Sequence, residues 1–256
     1  MADSTIQFLG IIIILLAMVI SVIMTQFIRR RRDLFTLRKI AAFDVLPTWV
    51  GVAIEANRPL HMSLGSVELG GRSTVLALAS AELFYQLTQQ ASIGDVAPIL
   101  TLSNTSALPL GYDTLRRAYA SRNRLERYRS NSVRWYPGGT RSLAFAAALT
   151  GLMSTDNVSA NVLVGSFGPE LALVMDASYR RNLPVIAASD QLEGQAIAYA
   201  LADQPLIGEE IFAAGSYLGR RSAERADVVT IDLLRWVLIA AIFVVMVITG
   251  LNQIGG

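Results

Sequence analysis

Two long uncharged runs lie near the ends of the chain, and shorter apolar runs alternate with polar turns between them. Phe8 to Ile28 contains 21 residues without a charge, and Trp236 to Ile254 contains 19. A helix of about 20 apolar residues is long enough to cross the hydrocarbon core of a bilayer. The pattern therefore predicts transmembrane helices at residues 8–28 and 236–254, with the rest of the chain enclosed between them.

Arginine and lysine residues lie on the inner side of both predicted spans. Four arginines, Arg29 to Arg32, follow the first span, and Arg235 directly precedes the second, whereas residues 1–7 and 255–256 contain neither residue type. Loops that stay in the cytoplasm carry the excess of Lys and Arg. We therefore expect a cell-membrane protein (inner or plasma membrane) with a cytoplasmic middle part and both termini outside. The absence of Lys and Arg from residues 1–7 and the four arginines after the first run disfavour a cleaved signal peptide.

The middle of the chain repeats one pattern: a short apolar run, a turn of Gly, Ser or Asn, and a longer helical stretch rich in Ala and Leu. Strands are expected at residues 60–65, 96–102, 132–136, 161–165 and 184–188, with 51–55 pairing beside the first of them. Helices are expected at residues 72–90, 112–123, 141–153, 169–181, 191–202 and 207–218. Strands that alternate with helices of this length predict βαβ units and a mostly parallel sheet. The predicted fold class is α/β, a Rossmann-like three-layer domain at residues 49–220, joined to the spans by connectors at 29–48 and 221–235.

Two segments of this domain resemble a known family. Residues 58–65 (RPLHMSLG) and 165–170 (GSFGPE) are similar to an uncharacterised family of bacterial membrane proteins, a domain of unknown function with two flanking transmembrane helices. The resemblance spans most of residues 45–220 and includes the flanking spans. Since that family has no assigned activity, the resemblance implies the architecture and transfers no catalytic residue.

The composition excludes several kinds of chemistry. A mean hydropathy of +0.45 with 53% hydrophobic residues is too apolar for a soluble globule. The absence of cysteine excludes disulfides, thiolate catalysis and cysteine metal sites. The single histidine, His61, lies within a predicted strand, where a structural role is expected. Neither G-x-G-x-x-G nor G-x-x-x-x-G-K-S/T occurs, so we expect no cofactor, no metal and, on balance, no enzymatic activity.

Small and hydroxyl-bearing residues follow the predicted strands, at the edge where open α/β sheets bind ligands. The candidate ligand-binding residues are Gly65, Ser66, Asn104, Ser166, Gly168 and Asp190. Glu170, in the first turn of the following helix, is expected to repel an anion there. Asp190 has a simpler interpretation as the N-cap of a helix that starts at Gln191. An open crevice at this edge would indicate a ligand site, and a filled one would indicate scaffolding.

Arginines are concentrated in one part of the domain. Residues 113–141 hold eight Arg against two acidic residues, a net charge of +6, whereas residues 142–219 have a net charge of −6. The predicted interaction surface, here called the arginine cluster, consists of Arg116, Arg117, Arg122, Arg124, Arg127 and Arg129. A membrane tether favours anionic lipid headgroups or a protein partner over nucleic acid. The two charge blocks either neutralise each other within the domain or join neighbouring copies.

Two classes of function therefore remain open. The first is a membrane-anchored cytoplasmic interaction or scaffolding module that self-associates as a homo-oligomer or binds another membrane protein. The second is a small-ligand-binding or enzymatic Rossmann-like domain that uses the crevice at the carboxyl ends of the strands. The shape of that edge distinguishes them.

Overall fold

The structure, a computed structural model, describes residues 39–218 together with Val19. Lys39 to Leu218 form one compact unit. Apart from Val19, both predicted spans lie outside the described residues. Within the described part of the chain, no helix is long and apolar enough to cross a membrane.

Six strands and seven α-helices make up the described unit. The strands are β1 (Leu60–Gly65), β2 (Ile99–Leu102), β3 (Val133–Trp135), β4 (Ala160–Ser166), β5 (Val185–Ser189) and β6 (Gln204–Pro205). The helices are α1 (Ala41–Glu55), α2 (Thr74–Ala91), α3 (Leu108–Ser121), α4 (Leu143–Thr155), α5 (Leu171–Tyr179), α6 (Leu192–Leu201) and α7 (Ala214–Leu218). Short 3-10 turns precede α3, α4 and α7.

All six strands are parallel and form one sheet in the order β3-β2-β1-β4-β5-β6. The chain builds outward from β1 to β3, then returns to the other side of β1 and builds outward again. The direction of strand order therefore reverses between β1 and β4. In open sheets of this kind, the crevice at such a switch point is the usual ligand site.

Helices cover both faces of the sheet. One group consists of α2 packed against α1 and α3, and the other consists of α5 packed against α4 and α6. Every residue of the two central strands, β1 and β4, is buried. This explains why the strands are continuously apolar rather than alternating, as expected when helices lie on both sides. The α/β class and the parallel sheet are confirmed.

Several boundaries differ from the sequence-based expectation. Residues 51–55 do not pair with the first strand, because they form the last turns of α1, which passes through Pro47. Residues 41–48, assigned to a connector, therefore belong to the same helix. The sixth strand, β6, was missed because its two residues are too short to give a periodic pattern. Residues 207–218, expected to be one helix, form a 3-10 segment, Gly208–Ala213, followed by the short α7.

Candidate functional site

The carboxyl ends of β1 and β4 are in direct backbone contact. Gly65 ends β1 with a positive φ of 63°, and a β-carbon there would collide with the carbonyl oxygen of Ser166. On the facing strand, a β-carbon at Gly165 would collide with the carbonyl oxygen of Leu64. The glycines at these positions let two strands approach more closely than side chains would allow. The two strands are thus in close backbone contact at the switch point.

Ser66 and Ser166, two candidate ligand-binding residues, lie next to each other and are hydrogen-bonded. The backbone N–H and the Oγ of Ser66 both donate to the carbonyl oxygen of Ser166, at 2.8 and 3.0 Å. The Oγ of Ser166 accepts from the side-chain amide of Gln191 at 2.9 Å. Sequence reasoning missed Gln191, which lies next to a candidate residue but has a side chain long enough to span the gap.

Polar backbone groups of the loop after β4 are also hydrogen-bonded to side chains of the domain itself. Glu170 is only 6% exposed, and its carboxylate accepts the backbone N–H of Gly168 at 2.8 Å. That N–H is the kind of donor that would otherwise face an anion at a helix N-terminus. Ser189 accepts the backbone N–H of Phe167 at 3.0 Å and donates to its carbonyl oxygen at 2.7 Å. Phe167 itself is buried, so the loop is packed as well as hydrogen-bonded.

The remaining candidates lie apart from this contact. Asn104 caps the 3-10 turn before α3, because its Oδ1 accepts the backbone N–H of Ser106 at 3.0 Å. Asp190 is exposed, and the expectation that it caps the next helix is wrong. The N-cap position of α6 is Gln191, which makes no side-chain capping bond. Its backbone N–H is instead accepted by Ser189 Oγ at 3.1 Å.

His61 lies at the centre of a buried polar network that crosses the sheet. Its Nδ1 is 2.7 Å from Asn161 Oδ1, and its Nε2 is 2.9 Å from Thr101 Oγ1. Asn161 Nδ2 donates to Ser178 Oγ, so its Oδ1 accepts the Nδ1–H of a neutral imidazole, and Nε2 accepts from Thr101. Burial lowers the pKa of His61 from 6.5 to about 4, despite the hydrogen bond to Asn161. This arrangement connects β2, β1, β4 and α5 and leaves no free ring nitrogen for catalysis.

Two residues of the arginine cluster, Arg124 and Arg127, make hydrogen bonds that stabilise the fold. Arg124 donates to the carbonyl oxygens of Ser92 and Ile93, at 3.3 and 3.1 Å, and Arg127 donates to that of Gly94 at 3.0 Å. These carbonyls lie just beyond the C-terminus of α2, where helix ends leave acceptors unpaired and favour cations. Arg124 and Arg127 therefore cap α2.

One ion pair joins the two charge blocks inside the domain. Arg134 makes two parallel hydrogen bonds of 2.7 Å to the carboxylate of Asp156. The Arg134 guanidinium holds the pKa of Asp156 below its usual range, and the carboxylate raises the pKa of Arg134. This pair links β3 to the end of α4. One charge of the basic block and one charge of the acidic block are therefore paired within one chain.

Comparison with known proteins gives a family without an assigned activity. The family described as a domain of unknown function, DUF6754, matches residues 3–255. The chain belongs to this family. The match covers the helical and sheet domain together with both predicted spans, which agrees with the resemblance to an uncharacterised family. No curated protein and no solved structure matches the chain.

Proposed function

We propose that this DUF6754 protein is a membrane-anchored, non-catalytic interaction module whose cytoplasmic domain self-associates. The observation that carries the proposal is that the polar groups at the switch point bond to one another. Gly65 contacts Ser166, Ser66 and Gln191 donate to Ser166, and the Glu170 carboxylate accepts from the loop after β4. Polar groups that would orient a ligand are already paired with one another.

The domain itself is proposed to be Rossmann-like. The strand order 3-2-1-4-5-6, observed here, is the order of the doubly wound dinucleotide-binding fold. That likeness favours the alternative function, in which a small ligand binds at the strand ends. The absence of a glycine fingerprint and the buried carboxylate of Glu170 favour a domain that keeps the architecture without the ligand.

Both ends of the domain are suited to paired membrane anchors. Phe43, near the start of α1, stacks on Tyr217 of α7, with ring centroids 5.1 Å apart. The chain therefore enters and leaves the domain at neighbouring points. Together with the positions of arginine around residues 8–28 and 236–254, this supports the proposal that both segments anchor the chain in one membrane and that the domain is cytoplasmic.

Self-association is supported by the outer surface of the second helix group. Helix α4 contains no charged residue, and Leu143 at its start is exposed. On α6, Leu192 and Tyr199 lie two turns apart and are 78% and 74% exposed. Apolar side chains are therefore exposed on both helices that pack against α5, which favours a contact site on this side of the sheet. Two anchors in one membrane fix the orientation of copies and raise their effective concentration, so a second copy of the chain is the proposed occupant.

The test uses the full chain purified in detergent. Native mass spectrometry of the wild type should give an oligomer without a retained small molecule. The double variant Leu192→Glu with Tyr199→Glu should give a folded monomer. The matched control, Val75→Glu with Leu78→Glu, places the same charges on exposed apolar residues of α2 and should keep the oligomer. A retained nucleotide, or a thermal shift with nucleotides, would favour the ligand-binding alternative; a wild-type monomer would contradict self-association.

A further inference from the structure

Three arginines of the cluster are exposed and have no hydrogen-bond or ion-pair partner in the part of the chain that the structure describes. Arg124 and Arg127 cap α2. Arg117 pairs with Asp113, which lies one turn earlier on α3, at 2.7 Å. The other three are exposed and form no hydrogen bond or ion pair with any residue that the structure describes. They are Arg116, Arg122 and Arg129.

Aromatic residues accompany these arginines. Tyr112 lies one helical turn before Arg116 on α3, and both act electrostatically on Tyr128. Tyr128 packs beside Tyr119, with ring centroids 6.2 Å apart, and directly precedes Arg129. The exposed-arginine surface is defined here as Tyr112, Arg116, Arg122, Tyr128 and Arg129. Arginine and tyrosine are the residues enriched at protein–protein interfaces, where lysine is depleted.

This surface lies far from the points where the chain enters and leaves the domain. Ile54, near the end of α1, is next to Gly94, whose carbonyl oxygen binds Arg127. Phe43, which stacks on Tyr217 of α7, lies eleven residues earlier on α1, which corresponds to about 16 Å of helix. The Gly94 turn, which binds Arg127, therefore lies at the opposite end of α1 from Phe43. Binding of this surface to lipid headgroups is tested directly with vesicles below.

The acidic block of a second copy is a poor partner as well. Asp156 pairs with Arg134, Asp176 pairs with Arg180, and Asp203 accepts the backbone N–H of Val185. Glu170 is buried, and Glu210 accepts the backbone N–H of Ile207. Most of the block's carboxylates are thus committed within the domain, and a head-to-tail charge contact between copies would have few acids to use.

We propose that the exposed-arginine surface binds an acidic surface of a different protein. The inference rests on the proposed function as an interaction module and names its partner class. The planar guanidinium groups match carboxylates in two-point hydrogen bonds, and the neighbouring tyrosines supply apolar contact area beside them. The partner contacts the end of α3 and the loop after it, while self-association uses α4 and α6 of the other helix group.

The test compares two charge-matched double variants of the full chain in detergent. Arg116→Glu with Arg129→Glu reverses the surface, and Arg72→Glu with Arg181→Glu makes the same charge change at exposed arginines elsewhere. The probe is a fluorescent peptide of alternating Glu and Tyr, followed by anisotropy at 0.1 M salt. The first variant should bind it at least tenfold more weakly than the wild type, and the control should stay within about threefold.

Three outcomes would overturn the inference: no binding of the peptide by the wild type, equal losses in both variants, or tighter binding to phosphatidylglycerol vesicles or duplex DNA than to the peptide. Circular dichroism of both variants confirms that they are folded. If Arg116→Glu with Arg129→Glu fails to fold, Arg116→Gln with Arg129→Gln is measured and must still weaken binding more than Arg72→Gln with Arg181→Gln. The oligomer measured by native mass spectrometry is unaffected by these results, so the proposed function and the partner class fail separately.

Discussion

Phe43 and Tyr217 stack with an interplanar angle of 24°, although 174 positions separate them in the sequence. Phe43 belongs to the first helix of the domain and Tyr217 to the last. The contact closes the domain by joining its two ends. The first and last helices that the structure describes are therefore in contact.

Gly165→Ala should strongly destabilise the domain, because the new β-carbon would collide with the carbonyl oxygen of Leu64 in the central strand β1. Overpacking of this kind costs about 1–3 kcal/mol, and here the obstacle is backbone that cannot rotate away. Gly51→Ala is the control, since nothing lies within 4 Å of its β-carbon position inside α1. It should raise stability by about 0.5–1 kcal/mol. Urea unfolding monitors both variants, and equal effects would refute the close approach.

Lowering the pH should weaken the domain through His61. The imidazole pKa is about 6.5 in an unfolded chain and about 4 when buried in the network with Asn161 and Thr101. Below pH 6.5 the unfolded chain takes up a proton that the folded chain does not. The free energy of unfolding therefore decreases as the pH is lowered. The slope approaches about 1.4 kcal/mol per pH unit and the total is about 3 kcal/mol by pH 4.

The variant His61→Gln removes the titrating ring and keeps an amide that can donate and accept hydrogen bonds. Its stability should be lower at pH 8 and change little between pH 6.5 and 4.5. Because His61 is the single histidine, the difference between the two pH profiles belongs to this side chain. Parallel profiles for the wild type and the variant would show that the ring is not buried in neutral form.

Asp156→Asn should cost more stability than Asp176→Asn. The Arg134–Asp156 pair has two hydrogen bonds, and its side chains are 31% and 22% exposed, so a loss of about 1–2 kcal/mol is expected. Asp176 pairs with Arg180 one turn away on an exposed helix surface, where such pairs contribute about 0.3–0.5 kcal/mol. Chemical unfolding at pH 7 gives both values, and the reverse order would contradict the half-buried geometry.

Cysteine labelling tests the topology directly, because the chain has no cysteine of its own. With arginine on the inner side of both predicted spans, Asp3→Cys and Gly255→Cys should react with an impermeant thiol reagent on intact cells. Ser130→Cys, in an exposed turn of the domain, should react only after the cells are opened. Labelling of position 130 on intact cells would place the domain outside and invert the proposed orientation.

Much of the fold follows from local pattern. The apolar runs at residues 60–65 and 161–165 predict β1 and β4 to within one residue, because a strand covered on both faces must be continuously apolar. The structural role expected of His61 also follows, since a histidine within such a run has no access to solvent. The pattern missed helix α1, which was predicted as a connector ended by Pro47 and a strand at residues 51–55, and the two-residue strand β6, which is too short to show a period.

The residues of the candidate site could be predicted from the sequence, but the contacts between them could not. Gly65, Ser66, Ser166 and Gly168 were identified by their place after strands, and the structure brings them together at one edge. Whether that edge is open depends on residues 100 positions apart that meet across β1 and β4, and on the reach of the Gln191 side chain. The same holds for the arginines, since charge counting cannot tell Arg124, which caps α2, from Arg116, which is exposed.

The sequence by itself therefore determined the α/β class and the parallel sheet, because hydrophobic periodicity and local turns act over a few residues, and the segments at residues 58–65 and 165–170 indicated the family. The tertiary structure decided which polar groups bond at the switch point, which side chains bind the histidine and which arginines have a partner within the described domain. Those features depend on distances between segments far apart in the chain, and a contact of 3 Å between such segments is fixed only when the whole sheet and its helices have packed.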